Sequence, residues 1–328
     1  MLPRLLDQLD LQAFTDAARQ IPYQQIISDI YPDLDVWIRR DDLIDPLISG
    51  NKAYKLFFNL LEARAQGVKT IITCGGAWSN HIHAIAAAGA RFKFETIGVI
   101  RGERPIKLSA TLQDAERFGM KLIFVTRVQY RRRSEPEFLK EIGVELEDSY
   151  YVPEGGSNLA GVEGIQLLGQ VIEETAPVDF DQIWVACGTG ATFAGLYSSI
   201  HRAAVVGVEV LKGGGSILKN ARYWLDILGA SSEKNGVNNL PIYRHLPKIG
   251  GGCLLEQYHG GGYGKYKREF REFHRLFEVG SVVPVDPVYT LKLLYALWKS
   301  RDDGQFPASK TRVLLIHSGG LQGRRGYK

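Results

Sequence analysis

The chain has 328 residues, of which 45% are hydrophobic and 23% charged, and a formal net charge of +4. That length suits two domains or one large α/β unit with an ample core, and the composition is ordinary for a soluble globular protein. The one dense basic run, Arg131-Arg132-Arg133, is followed at once by Glu135 and Glu137, so a solvated helix face fits it better than a nucleic-acid surface. Cys74, Cys187 and Cys253 are far apart and form no C-x-x-C pair, which suggests buried thiols in a reducing compartment. No apolar run reaches membrane length and the start shows no signal-peptide pattern. The expectation is a cytoplasmic protein with neither membrane nor nucleic-acid partners.

In chain order, residues 4–19 read as an amphipathic helix through Leu5, Leu9, Leu11 and Phe14. A strand over 35–40 delivers the chain to Asp41-Asp42 and then to Ser49-Gly50-Asn51-Lys52. Strands at 69–74, 96–100 and 122–125 alternate with helices at 79–92 and 107–118. A second set follows Gly155-Gly156-Ser157: a helix at 158–174, a strand at 182–186, a further helix and a strand at 205–210. The segments 212–216 and 250–264 are glycine-rich, as expected of loops around a site. Residues 231–239 read as a polar surface excursion. A helix at 288–299 and a strand at 312–316 precede His317-Ser318-Gly319-Gly320. Such alternation predicts α/β architecture, with parallel sheets covered on both faces.

Four stretches carry chemistry. Tyr54, Phe57, Phe58 and Leu61 are spaced as one helix face, so Lys52 falls at a helix start, with Ser49 or Asn51 as its N-cap. The helix dipole and burial both lower a lysine pKa there, which suits Schiff-base chemistry. Gly75-Gly76-Ala77-Trp78-Ser79-Asn80-His81 joins a strand to a helix. Ser79 serves as N-cap, or with the exposed N–H groups holds a carboxylate. His81 and His83 resemble a metal pair, but i, i+2 side chains on a helix diverge and no third ligand is near, so no metal is expected.

Gly188-Thr189-Gly190-Ala191-Thr192 also joins a strand to a helix and makes a phosphate cradle. It lacks the lysine of a P-loop. A dinucleotide fingerprint would need glycine at Phe193, although Glu209 stands at a suitable distance for a ribose contact. A single phosphate monoester fits the loop, and a purely structural turn remains open. Tyr263, within Gly260-Gly261-Gly262-Tyr263-Gly264, and Tyr289, after Asp286-Pro287-Val288, are phenols set in unusual contexts.

Together these stretches resemble the pyridoxal-phosphate enzymes of the tryptophan-synthase-β fold (fold type II), and within them the D-cysteine desulfhydrase and 1-aminocyclopropane-1-carboxylate deaminase group. The matching segments are Arg39-Arg40-Asp41-Asp42, Ser49-Gly50-Asn51-Lys52 with Lys55-Leu56, Gly75-Gly76 with Ser79-Asn80-His81, Gly155-Gly156-Ser157, Gly188 to Thr192, Tyr263-Gly264, Asp286-Pro287-Val288-Tyr289 and His317-Ser318-Gly319-Gly320. They run in the family's order across most of the chain.

The resemblance implies two open, twisted, mostly parallel sheets flanked by helices. A smaller domain, 46–158, is inserted into a larger one built from 1–45 and 159–328, and two chains pair as a homodimer. It implies pyridoxal 5'-phosphate held as an aldimine by Lys52, with Asn51 alongside and Asn80 on the ring hydroxyl. Gly188, Thr189, Gly190, Ala191 and Thr192 take the phosphate, and Thr290 and Ser318 stand by the ring nitrogen. Ser79 binds the substrate carboxylate, and Tyr263 and Tyr289 flank the reacting carbon.

Ring-opening deaminases carry a glutamate after the matching tyrosine, where this chain has Thr290. The favoured reaction is therefore β-elimination from D-cysteine, giving pyruvate, sulfide and ammonia. The alternative is 1-aminocyclopropane-1-carboxylate deamination to 2-oxobutyrate and ammonia. Trp78, Leu291 and Arg324-Arg325 depart from the family pattern, the first two as residues expected to reshape the substrate pocket. Two readings of other classes compete, a nicotinamide-dependent oxidoreductase using Glu209 and a non-catalytic protein that binds cofactor or amino acid.

Overall fold

The computed structural model describes residues 6–135, 137–229, 251–301 and 308–327, so the polar segment 231–239 lies outside the described residues. Helix α1 (Leu11–Arg19) starts later than the leucine pattern suggests, because the Asp10 carboxylate caps it by accepting the Ala13 N–H at 2.8 Å. Strand β1 (Tyr23–Gln25) pairs antiparallel with β2 (Asp35–Arg39), and the chain then enters α2 (Asn51–Ala65). Three strands follow in alternation with helices: β3 (Thr70–Gly75), α3 (Asn80–Phe92), β4 (Glu95–Arg101), α4 (Ala110–Arg117) and β5 (Lys121–Val125). Two short helices, α5 (Arg127–Arg131) and α6 (Phe138–Glu141), lead to β6 (Ser149–Val152). These strands form one wholly parallel sheet in the order β5-β4-β3-β6.

The other sheet takes strands from both ends of the chain. After α7 (Leu159–Thr175) come β7 (Gln182–Cys187), α8 (Ala191–Ser199), β8 (Ala204–Glu209) and α9 (Ser216–Ile227). Strand β9 (Gly252–Leu255), α10 (Arg268–Ser281), α11 (Thr290–Lys299) and β10 (Arg312–Ile316) complete it. Its order is β1-β2-β10-β7-β8-β9, parallel throughout except at β1. Every residue of β7 and β8 is buried, as a strand covered on both faces requires.

Strand β9 lies inside a stretch whose glycines read as loop. Its Cys253-Leu254-Leu255 core is nonetheless fully buried and pairs with β8. Helix α10 shows Phe270, Phe273 and Phe277 on one buried face, a 3.6-residue pattern legible in the sequence but absent from the reading above. All three cysteines are buried and free. Among the described residues no helix is long and apolar enough to cross a membrane.

Two features fix the start of α2. A fully buried network joins Arg39, Asp41 and Tyr54: the guanidinium donates to Asp41 Oδ1 at 3.1 Å, and the Tyr54 hydroxyl donates to the same oxygen at 2.7 Å. The N-cap is neither Ser49 nor Asn51 but Gly50, which offers no side chain and adopts φ 64°, ψ −151°. A Cβ there would lie 2.0 Å from the Ser318 carbonyl oxygen and 2.4 Å from the Gly319 nitrogen, which a side chain-free backbone alone allows. Gly50→Ala combines positive φ with a backbone clash. It is expected to lower the unfolding free energy by about 3 kcal/mol, read as a shifted urea midpoint with unchanged slope. A midpoint equal to wild type would show that the loop relaxes freely.

Candidate active site

The C-terminal ends of parallel strands from both sheets open on a single cavity of about 530 Å³. Ligand sites of α/β sheets form at such ends, because the loops and helix N-termini that follow the strands converge there. Lys52, Asn51, Ser79, Asn80, Gly188, Thr189, Thr192, Tyr263 and Tyr289 all line it. Gly190, Ala191, Thr290 and Ser318 stand behind the lining, the last two as a buried hydroxyl pair with oxygens 3.0 Å apart.

Lys52 is the second residue of α2. Its amine donates to Asn51 Oδ1 at 3.2 Å and lies 5.9 Å from the Tyr289 ring centre. Burial pulls its pKa down to about 8, against a pull upward from the Asp286 carboxylate. Neutral amine is therefore plentiful near physiological pH, as a nucleophilic lysine requires. Asn51 reaches across to α8, donating to Thr192 Oγ1 at 3.1 Å.

Ser79 does cap α3, accepting the Ile82 N–H at 3.3 Å, and its O–H is left to donate elsewhere. The Asn80 carboxamide oxygen accepts from Gln322 at 3.1 Å. Tyr263 donates to the Trp78 carbonyl at 2.8 Å. Tyr289 leans on the phosphate-type loop, 3.2 Å from where a Gly188 Cβ would stand. Burial pushes both phenols above their ordinary pKa, so each stays protonated at neutral pH and is a proton donor rather than a base.

The 188–192 loop opens into α8 with no side-chain cap on its first N–H groups. Gly190 supplies the left-handed turn (φ 85°), where a Cβ would meet the Ile217 carbonyl oxygen at 2.5 Å. Helix α9 also starts without a side-chain cap, and its Ser216 and Lys219 face the same cavity. Two bare helix N-termini and a lysine make an anion site, and further cations at Lys55, Arg101, Arg133 and Lys212 outweigh the single Glu154.

The profile of the family described as pyridoxal-phosphate dependent enzymes matches residues 27–319. The chain belongs to that family. A Pyrococcus furiosus protein named provisionally as a 1-aminocyclopropane-1-carboxylate deaminase is 31% identical over 89% of this chain and 87% of its own. A mitochondrial Arabidopsis thaliana protein, named bifunctional D-cysteine desulfhydrase/1-aminocyclopropane-1-carboxylate deaminase, is 29% identical over 88% of this chain and 73% of its own. A solved 1-aminocyclopropane-1-carboxylate deaminase homologue superposes with a TM-score of 0.72 at 26% identity, covering 99% of this chain and 94% of that one. The fold is the tryptophan-synthase-β type expected from the sequence, and the protein is a pyridoxal-phosphate enzyme. The residues present fit that cofactor, since the uncapped α8 and α9 N-termini suit its phosphate and Lys52 its aldehyde.

Other expectations change. Glu209 opens on a different cleft from Lys52, and Phe193 is fully buried in the core, so the dinucleotide reading loses its ribose contact. Leu291 is buried in the core on α11 and does not touch the cavity, whereas Trp78 lies beside it with Asn80 and Tyr263. Arg324 pairs with Glu278 at 2.9 Å and Arg325 with Asp114, so the tail arginines are committed to α10 and α4. Arg133 is not on a solvated helix face, because it pairs with Glu154 at 2.8 Å on the cavity wall. His83 turns to Asp114 at 3.5 Å, away from His81.

Three buried residues at or near the cavity were given no role in the site from the sequence. His81 is buried with neither ring nitrogen partnered, and burial with the nearby Lys52 and Lys55 amines keeps it neutral. Lys55 donates to the Gly155 carbonyl at 3.3 Å, its pKa pulled well down by burial and by Lys52. Both stand inside the matching motifs, which carry no statement of what they do. Lys292 is fully buried and donates to three carbonyls, of Val210 at 2.9 Å, His259 at 2.9 Å and Gly262 at 2.7 Å. It thereby pins the glycine loop that carries Tyr263.

Two predictions follow from these lysines. A lysine with lowered pKa binds its proton only below the folded value. Reattachment of pyridoxal phosphate to cofactor-free protein should therefore accelerate about tenfold per pH unit up to about pH 8 and then level off. A rate still climbing beyond pH 10 would return Lys52 to the ordinary lysine range. Lys292→Met strands three buried carbonyls, so an unfolding free energy lower by about 3 kcal/mol and a reduced kcat are expected. Stability and kcat equal to wild type would show that the loop holds without the ammonium.

Proposed function

We propose that the enzyme catalyses α,β-elimination of D-cysteine to pyruvate, sulfide and ammonia, as a cytoplasmic homodimer. Relatives named for D-cysteine and for 1-aminocyclopropane-1-carboxylate support a small amino-acid substrate. One observation carries the choice between them. Behind the cavity lining lies the hydroxyl pair of Thr290 and Ser318, and the Asp286 carboxylate is spent on the N–H groups of Val288, Tyr289 and Thr290. Hydroxyls do not hold a proton on a pyridine nitrogen as a carboxylate does. The weaker electron withdrawal suffices to expel a thiol but not to open an unactivated cyclopropane.

Bound pyridoxal phosphate supplies an electron sink at the substrate's α-carbon. The chain's own groups divide the remaining work. Lys52, largely neutral above its pKa of about 8, takes the α-proton. Tyr289, a protonated phenol beside that amine, donates to the departing sulfur. Ser79 and the backbone N–H groups before it orient the carboxylate, with Asn80 on the ring hydroxyl and Asn51 tying Lys52 to the phosphate loop. The Tyr263 hydroxyl is engaged by Trp78, which leaves its ring to cover the substrate and exclude water. The same reading makes 46–158 a smaller domain that closes on 1–45 and 159–328.

The test is keto-acid release by the purified holoenzyme from D-cysteine, L-cysteine and 1-aminocyclopropane-1-carboxylate offered separately. Pyruvate from D-cysteine alone is expected, with a shift of the visible cofactor band that Lys52→Ala abolishes. Release of 2-oxobutyrate from the cyclopropane would overturn the weight placed on Thr290 and select the deaminase alternative.

A further inference from the structure

Beside the catalytic cavity, and separate from it, the ends of β8 and β9 open on a second cleft of about 960 Å³. Glu209, the last residue of β8, lines it with Glu256, which directly follows β9. The register pairs Val208 with Leu255, so the two glutamates sit side by side on adjacent parallel strands. Glu209 is only 2% exposed, yet one of its carboxylate oxygens has no hydrogen-bond partner, and neither has one oxygen of Glu256. A buried carboxylate facing another with nothing between them costs free energy unless a cation joins them. The strain is visible in Glu209, whose pKa burial and Glu256 raise to about 7.

The cleft is also lined by Lys212, Lys267 and Lys299 and by a third acid, Glu269, whose carboxylate accepts from the Tyr295 hydroxyl at 3.4 Å. Lys212 and Lys267 have no ion-pair partner among the described residues, and both depress the pKa of neighbouring His259, after burial and Lys292. Phe270 and Tyr295 supply an aromatic wall. A bare divalent ion does not match: no group of three metal-ligating side chains exists among the described residues, and the volume is far larger than an ion needs. A cleft that sets a side-by-side pair of incompletely bonded acids among lysines, with aromatic rings along it, complements a dipolar organic ion. We infer that this cleft binds a small zwitterion of the amino-acid class, its ammonium between Glu209 and Glu256 and its carboxylate toward Lys212 and Lys267.

The site is coupled to catalysis by its walls. Lys212 and Gly213 line both cavities, and the loop from His259 to Gly261 continues directly into Tyr263. Occupancy therefore acts on the substrate cavity as an effector would. The inference concerns a different cleft and does not depend on which substrate Lys52 serves.

The test follows the melting temperature and visible band of the holoenzyme with glycine, β-alanine, 4-aminobutyrate and 6-aminohexanoate at millimolar concentration, beside n-butylamine and butyrate as half-ligands. At least one zwitterion should raise the melting temperature by a few degrees without moving the cofactor band, and neither half-ligand should match it. Glu209→Gln and, as an independent variant, Glu256→Gln should abolish the shift while keeping the band. No shift with any zwitterion, a shift that survives Glu209→Gln, or one that always moves the cofactor band would overturn the inference. Butylamine acting as strongly as the zwitterions would overturn the assignment of the carboxylate to Lys212 and Lys267.

Discussion

The site depends on two backbone segments touching with no side chain between them. Gly50, the cap of the lysine helix, lies against Ser318 and Gly319, and a Cβ on Gly319 would in turn meet Ser49 Oγ at 2.6 Å. This contact fastens the start of α2 to the loop after β10, so the lysine and the Thr290–Ser318 hydroxyl pair come from opposite parts of the chain yet hold a fixed relation. Because β10 is hydrogen-bonded between β2 and β7, the same loop is locked in register with the strand that precedes the phosphate-type turn. Three separate sequence segments are thereby brought to one wall by strand pairing and one close approach. Chemistry assembled this way tolerates little backbone drift, since misplacement of a reacting group by an ångström is costly to rate.

Buried charge supplies the second constraint. Arg39 and Asp41 are both fully buried, and the pair is worth less for its attraction than for what its loss would strand. The guanidinium also donates to the Tyr23 hydroxyl at 2.7 Å, while Tyr54, one turn into the lysine helix, donates to the same Asp41 Oδ1 and leaves the buried Oδ2 without a partner. Asp286 plays the matching part on the other side. It holds the entry to α11 through three N–H groups and raises the pKa values of both Lys52 and Lys292, each of which burial lowers to about 8. One carboxylate therefore sits in the field of the reactive amine and of the ammonium that pins the Tyr263 loop.

Much of this was legible in the sequence, and the limits have physical reasons. Apolar runs such as 182–187 declare themselves as strands because burial on both faces demands them, and Lys52 stood at a helix start by simple periodicity. The cap was misread because Gly50 acts through what it lacks, and the residues that need that absence lie more than 260 positions later. Strand β9 was hidden because its flanking glycines signal turns locally, whereas its place is set by pairing with β8. Lys292 carried no local signal at all, since its three carbonyl partners come from two loops distant in sequence. Glu209 was noticed, but for a cofactor that its own cleft does not face.

The departures from the family pattern make sense as a set rather than singly. Trp78 packs its ring within 3.1 Å of a notional Gly326 Cβ, so the tail can cross it only without a side chain there. The Trp78 carbonyl accepts from the Tyr263 hydroxyl, and the Gln322 amide donates to the Asn80 carboxamide oxygen. Arg324 and Arg325 then anchor the same turn to α10 and α4, elements that flank different sheets. The indole, the glycine loop and the basic tail thus brace one another beside the cavity. The tail arginines act as ion-pair anchors, and the tryptophan before Ser79 is the surface against which Gly326 closes. Changes at any of these positions should therefore be coupled, because each removes support from the others rather than a separate contact.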